Sequence, residues 1–167
     1  MQIVDKIPQE NILFIDESGI DNFISREYAW SQQGKLVYGE KPGRKFARES
    51  FIAGLKNKQI IAPFCYQGTM NTKLFNFWLV NFLLPSASVG DVIVMDNAAF
   101  HKSEEIECLI NEAGCKLLFL PPYSPDLNPI EKCWANLKDK IKKTIDDFTS
   151  LSEAIDNAFK EDHLIFN

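Results

Sequence analysis

The 167 residues predict an α/β protein built on a mixed β-sheet, with its first three strands antiparallel, later strands parallel and helices on both faces. Two observations lead there. The first part of the chain holds short apolar runs separated by turn residues, two of them close enough to form a hairpin. The second part alternates helix-period segments with short, continuously apolar runs of the parallel-strand kind. With 46% apolar residues and 13 Phe, the chain has material for one sizeable core. No repeat, low-complexity tract or linker interrupts it, so residues 1–167 read as a single domain.

Residues 11–15 (NILFI) form an apolar strand that runs into Asp16, Glu17, Ser18 and Gly19, a polar exit. Residues 26–31 (REYAWS) suggest a second strand, and 35–48 a basic loop broken by Gly39, Pro42 and Gly43. Residues 50–55 and 59–66 are β-prone and nearly contiguous, which predicts a hairpin. Residues 72–84 form a helix stopped by Pro85, with Phe75, Trp78, Leu79 and Phe82 on one face. Because Leu74, Phe77, Val80 and Leu83 leave few polar positions, that helix is either deeply buried or covered by a partner. Residues 92–95 (VIVM) are a buried strand ending at Asp96. Ser103 caps a helix that Gly114 terminates, and residues 116–120 (KLLFL) add a last strand.

Residues 120–137, LPPYSPDLNPIEKCWANL, then deliver a carboxylate on a helix start. Pro121, Pro122, Pro125 and Pro129 stiffen the approach. Asn128 suits the N-cap and Pro129 the first helical position, which sets Glu131 at the third. Ile130, Cys133, Trp134, Leu137 and Ile141 make the apolar face, and Glu131 stands to its side. Asn-x-x-Glu also fits a capping box, in which Glu131 only bonds the cap's N–H. A final helix starts from Ser150-x-x-Glu153, with Leu151, Ala154, Ile155, Ala158 and Phe159 inward.

The net charge of −5 argues against a free-standing nucleic-acid binder, but the charge is uneven. Lys35, Lys41, Arg44, Lys45 and Arg48 face Glu40 alone, and Lys132, Lys138, Lys140, Lys142 and Lys143 face Asp139 alone. Such runs are solvated faces or, beside a carboxylate site, a track for a phosphate backbone. Cys65, Cys108, Cys115 and Cys133 show no C-x-x-C pairing and read as reduced core thiols. No signal peptide or membrane-length apolar run is present, so a cytoplasmic protein without a membrane partner is expected.

Asp16 and Asp96 each follow an apolar strand, where sheets flanked by helices form polar sites. With Glu131 beside them, three carboxylates would repel one another unless a cation sat between them. Hard oxygen donors with open positions suit a pair of Mg²⁺ ions, with Mn²⁺ as substitute, and the chemistry of in-line displacement at phosphorus. Each residue also has a plainer role. An aspartate after a strand is commonly a turn former. Glu17 is the alternative to Asp16, since only one of two neighbours on a strand faces the site. His101, near Asp96, either touches a phosphate or makes a structural hydrogen bond.

Three blocks, FIDESG (14–19), VIVMDNAAFHKS (92–103) and LPPYSPDLNPIEKCWANLK (120–138), resemble those of DDE transposases of insertion sequences related to the mariner superfamily. The resemblance covers nearly the whole chain. It implies an RNase H-like fold and assigns the catalytic, metal-holding roles to Asp16, Asp96 and Glu131. The 34 residues between Asp96 and Glu131 match a spacing this superfamily uses. It further implies a transposase that cleaves element ends and joins them to target DNA, acting as a homodimer and associated with the nucleoid when it acts. Lys35, Arg44, Lys45, Arg48, His101, Lys132, Lys138 and Lys142 are the candidate DNA contacts, the last three together with Glu131 on one helix side. Gln33 stands where the family would be expected to have a basic residue. Full-length relatives carry helix-turn-helix modules before the catalytic domain, and about ten residues precede the first strand here, so either the DNA-binding module is a separate polypeptide or this chain is a remnant or an excised domain. Two other readings stay open: an RNase H-like nuclease with a different substrate, and an inactive truncated copy that acts as an interaction module through the 72–84 helix.

Overall fold

A computed structural model describes residues 7–20, 48–96, 103–121 and 127–161. Among these residues five strands form one sheet: β1 (Ile12–Ile20), β2 (Glu49–Lys56), β3 (Gln59–Tyr66), β4 (Val92–Met95) and β5 (Lys116–Phe119). Their spatial order is β3-β2-β1-β4-β5, with β1, β2 and β3 antiparallel and β4 and β5 parallel to β1. The expected mixed sheet is therefore present, with the first antiparallel strands on one side of β1 and the parallel strands on the other. The strand expected over 26–31 and the basic loop after it lie outside the described residues.

Antiparallel pairing extends β1 well past the point where its sequence turns polar. Asp16, Glu17, Ser18 and Gly19 carry turn propensity, yet they pair with Ala53, Ile52, Phe51 and Ser50. The ladder with β2 overrides the local preference, so Asp16 lies within β1 and does not end it. The β2–β3 hairpin closes through Asn57 and Lys58, whose φ values of 51° and 62° match the twist of the strands they join. Ala62 sits at a bulge in β3 with φ 52°, and the indole N–H of Trp78 donates to its carbonyl at 2.8 Å.

Among the described residues, four α-helices cover the two faces. Leu13, Ile15, Ile52, Ile93 and Met95 pack against α1 (Thr72–Trp78) and α2 (Glu104–Glu112). Phe51, Ala53 and Leu55 pack against α3 (Ile130–Thr144) and α4 (Leu151–Glu161). The face change between neighbouring residues is the period-2 alternation of strands. Gly54 belongs to the first face, where a Cβ would lie 2.9 Å from Leu83 Cδ1 and 3.2 Å from Leu13 Cδ2. Side-chain volume is excluded there by the close approach of the helical segment.

α1 ends sooner than the sequence pattern suggests. A π turn over Leu79–Leu83 and a 3₁₀ turn over Leu84–Ser86 continue it through Pro85. The wider turn delays the buried face by one residue. Leu83 is buried with Phe75, Trp78 and Leu79, while Phe82 is 37% and Phe77 50% exposed. The expected place of Phe82 on the buried face is thus wrong.

The cap of α2 follows expectation: Ser103 Oγ accepts from Ile106 N, and Gly114 at φ 73° ends the helix. Gly114 N bonds Asn111 O and Cys115 N bonds Ile110 O, the paired contacts of a Schellman stop. At α4, Ser150 Oγ accepts from Glu153 N. The reciprocal half of the box differs, because Glu153 Oε2 accepts from the Thr149 N–H and hydroxyl. Of the four cysteines, Cys115 and Cys133 are buried, Cys65 is partly buried and Cys108 is exposed, so Cys108 is no core thiol; all four are free.

Candidate active site

The parallel register of β1 on β4 decides which carboxylates meet. Ile12 lies opposite Val92, Leu13 opposite Ile93 and Phe14 opposite Val94, a constant offset of 80. Asp16 lies two residues beyond the last of these pairs and Asp96 follows the last residue of β4, and the charge of Asp96 is felt at Asp16. Asp16 shares its β1 face with Phe14, which packs with α3. Glu17, the alternative, faces the other side of the sheet, where its Oε2 accepts from the Tyr66 hydroxyl at 2.9 Å.

The third carboxylate comes from the first turn of α3. The helix begins at Ile130, one residue later than expected, because Pro129 (φ −65°, ψ −17°) occupies the cap. Asn128 still does the capping work: its Oδ1 accepts from Ile130 N at 3.4 Å. Its Nδ2 donates to Ile15 O at 3.3 Å, which ties the helix start to the backbone beside Asp16. Four apolar residues, Cys133, Trp134, Leu137 and Ile141, hold the rest of α3 against the sheet. The Glu131 N–H bonds Asn128 O at 3.2 Å, but among the described residues its side chain accepts no bond from the Asn128 N–H, so the capping-box alternative is not the one adopted. Its side chain is exposed.

Trp134 connects helix and strand directly, donating its indole N–H to Asp16 Oδ2 at 3.0 Å. The sequence pattern had assigned this residue to the apolar face alone. A buried tryptophan needs an acceptor for its one N–H, and that requirement was the available signal. The ring also packs edge-on against Phe51, with centroids 5.0 Å apart.

The Asp16 carboxyl is pushed up to about 7, chiefly by burial, then by the negative charge of Glu131, with Asp96 adding less. A backbone hydrogen bond from Glu17 and the Trp134 indole act in the opposite direction. Asp16 thus senses both other carboxylates and, among the described residues, has no basic partner. A hard cation would relieve that surplus of negative charge, and the oxygen donor set suits one. The side chains are nonetheless spread: among the described residues, no three His, Cys, Asp or Glu groups are gathered closely enough to hold an ion.

The basic candidates divide. Lys35, Arg44, Lys45 and His101 lie outside the described residues. Arg48 is exposed at the entrance to β2, beside Gly19. On α3, Lys138 and Lys142 share the flank of Glu131. Lys132 is turned roughly 100° from Glu131, toward solvent opposite the packed face, so it does not belong to that flank. Lys143 pairs with Asp139 at 2.6 Å.

Residues 11–152 match the family described as DDE superfamily endonuclease. The uncharacterized protein y4pE/y4sA of Sinorhizobium fredii (strain NBRC 101917 / NGR234) is 29% identical over 104 residues, which is 57% of this chain and 69% of that one. Among solved structures, the Mos1 strand transfer complex superposes with a TM-score of 0.66 at 17% identity, over 95% of this chain and 55% of that one. The Mos1 mariner paired end complex with Mn gives the same values. The catalytic core domain of BIV integrase superposes at 0.57 and 12% identity, over 90% of this chain and 81% of that one. This chain spans just over half the length of the Mos1 chains it matches. At these identities the likeness to the solved structures is one of fold.

Proposed function

The chain belongs to the DDE superfamily endonucleases and has an RNase H-like fold, and from that premise we propose that it is the catalytic domain of a metal-dependent DNA transposase. Its substrate is DNA, cleaved at the ends of a mobile element and joined to a target. The observation that supports this reading is that the charges of both Glu131 and Asp96 are felt at Asp16, on the strand that pairs parallel with the one Asp96 follows.

Asp16, Asp96 and Glu131 would hold Mg²⁺ or Mn²⁺. When bound, the ions would supply positive charge to the attacking and leaving oxygens of an in-line displacement at phosphorus. The chain's own part would be placement: β1 carries Asp16, Asp96 follows the last residue of β4, and the Asn128–Ile15 bond ties the first turn of α3 to the backbone beside Asp16. Trp134 holds one oxygen of Asp16, and the Glu17 backbone N–H also bonds this carboxylate, which orients it for a ligand. Lys138 and Lys142, on the flank of Glu131, lie where a phosphate backbone passing the carboxylates would meet them. Mos1 complexes with transposon DNA and with Mn share this fold, and that likeness supports both DNA and a divalent ion as partners.

The test is nicking and strand transfer on duplex DNA bearing the element's ends, with Mg²⁺ and with EDTA. Activity that needs the metal and is lost in Asp96→Asn and Glu131→Gln supports the proposal. Full activity in EDTA, or in either variant, removes it. Cleavage confined to RNA–DNA hybrids would instead assign the site to a nuclease of the same fold.

A further inference from the structure

Beyond the carboxylates, β1 runs on without a parallel neighbour. β4 ends at Met95, so from Asp16 to Ile20 the strand is backed by β2 alone among the described residues. On the face opposite Asp16, this projecting end forms the wall of an open recess of about 430 Å³. Glu17, Arg48, Ser50, Tyr66 and Thr69 contribute polar groups to it. Gly19 lies beneath the Arg48 side chain: a Cβ there would stand 3.6 Å from both Nε and Nη2. Tyr66 is half-buried and stacked on Phe64 at 17°, and its hydroxyl holds Glu17. The Ser50 hydroxyl donates to Gly68 O at 3.4 Å, which ties the recess rim to β2.

The recess offers one carboxylate, one guanidinium, several hydroxyls and an aromatic ring. Such a balanced donor and acceptor set suits the edge of a nucleobase, and its volume accommodates one nucleotide and not a duplex. Asp16 and this recess lie on opposite faces of β1, whose β4-facing edge beyond Phe14 has no strand partner among the described residues. Resting on the DNA reading above, we propose that the recess takes a single unpaired nucleotide from the strand whose phosphate lies at Asp16. Glu17 and the hydroxyls meet the base edge, Tyr66 walls its face, and Arg48 lies at the mouth against a flanking phosphate.

The experiment uses the full chain in Ca²⁺ and two labelled duplexes of equal length. One is fully paired and the other carries one unpaired thymidine beside a nick. Fluorescence anisotropy is expected to show about fivefold or greater preference for the second. Tyr66→Leu removes the ring and hydroxyl, and Thr69→Leu fills the recess from an exposed position. Each should bring the preference toward unity while affinity for the paired duplex changes by less than about twofold. Should Tyr66→Leu lose its folded circular dichroism spectrum, Thr69→Leu decides. Equal affinity of the wild type for both duplexes overturns the inference, and so does a preference undiminished in Thr69→Leu. If nicking persists in either case, the transposase reading stands and only the recess assignment falls. A chain that binds neither duplex and nicks no DNA ends both.

Discussion

Trp134 donates its indole N–H to a carboxylate oxygen of Asp16, a contact between residues 118 positions apart. One bond couples the packing of α3 to the side chain at the centre of the candidate site. Replacing Trp134 with Phe keeps an aromatic ring near Phe51 but deletes the donor. Hydrogen bonds to charged groups contribute roughly 1.5–3 kcal/mol, and Phe fills less volume. We expect a loss of about 2–4 kcal/mol in urea unfolding. Nicking should also fall by at least about tenfold, since 1.4 kcal/mol of misplacement corresponds to that factor. Wild-type nicking in Trp134→Phe would separate the packing role from the site.

The Asp16 carboxyl gives the metal-free protein a definite pH signature. Its folded value, about 7, lies above its ordinary value of 3.8, so the folded state holds the proton more tightly than the unfolded one. The stability associated with that proton is fully present below pH 3.8 and is lost as pH rises through about 7. In EDTA, unfolding free energy should therefore fall with pH across this window, by at most about 1.4 kcal/mol per pH unit from this group. Asp16→Asn should flatten the curve and be the more stable protein at pH 8. Added Mg²⁺ should restore stability to the wild type above pH 7 and leave Asp16→Asn nearly unchanged. Denaturant titrations at several pH values read all three effects.

A buried ion pair secures the end of the sheet farthest from the carboxylates. Lys56 Nζ lies 2.5 Å from Asp91 Oδ2, and Asp91 is 1% exposed. Asp91 also accepts from Ser88 N at 2.8 Å, holding the turn into β4. Lys56→Met strands a buried carboxylate and should cost about 3–5 kcal/mol at neutral pH. Adding Asp91→Asn to Lys56→Met should recover part of that loss in urea unfolding, and no recovery would point to lost packing of the lysine stem.

Gly54→Ala tests the tightest contact in the core. The new methyl meets Leu83 Cδ1 at 2.9 Å, Ile61 Cγ1 at 3.1 Å and Leu13 Cδ2 at 3.2 Å. Overpacking of this kind costs typically about 1–3 kcal/mol. A combined Gly54→Ala and Leu83→Val variant should recover part of that loss in thermal melts.

Much of this molecule was written in local pattern. The apolar stripe of α3, Ile130, Cys133, Trp134, Leu137 and Ile141, is buried as its 3.6-residue spacing requires. Ser103 and Gly114 bound α2 because a side-chain oxygen and a left-handed glycine meet needs set within one turn. The three motif blocks named the family for the same reason, since each is contiguous.

Other features depended on partners remote in the chain. Only pairing with β2 carries β1 through Asp16 to Ile20 against the turn propensity of its own residues. Only the π turn after Trp78 exchanges Phe82 for Leu83 on the buried face. That Asp16, and not Glu17, lies on the face toward α3 follows from its place in the ladder with β2, some 37 positions away in the chain. Spacing along a chain constrains neighbours within a few residues, whereas a ladder offset and a helix docking angle are set by cores that assemble only when both sheet faces close. The sequence by itself determined which residue types were available, and the tertiary structure decided which of them share a face.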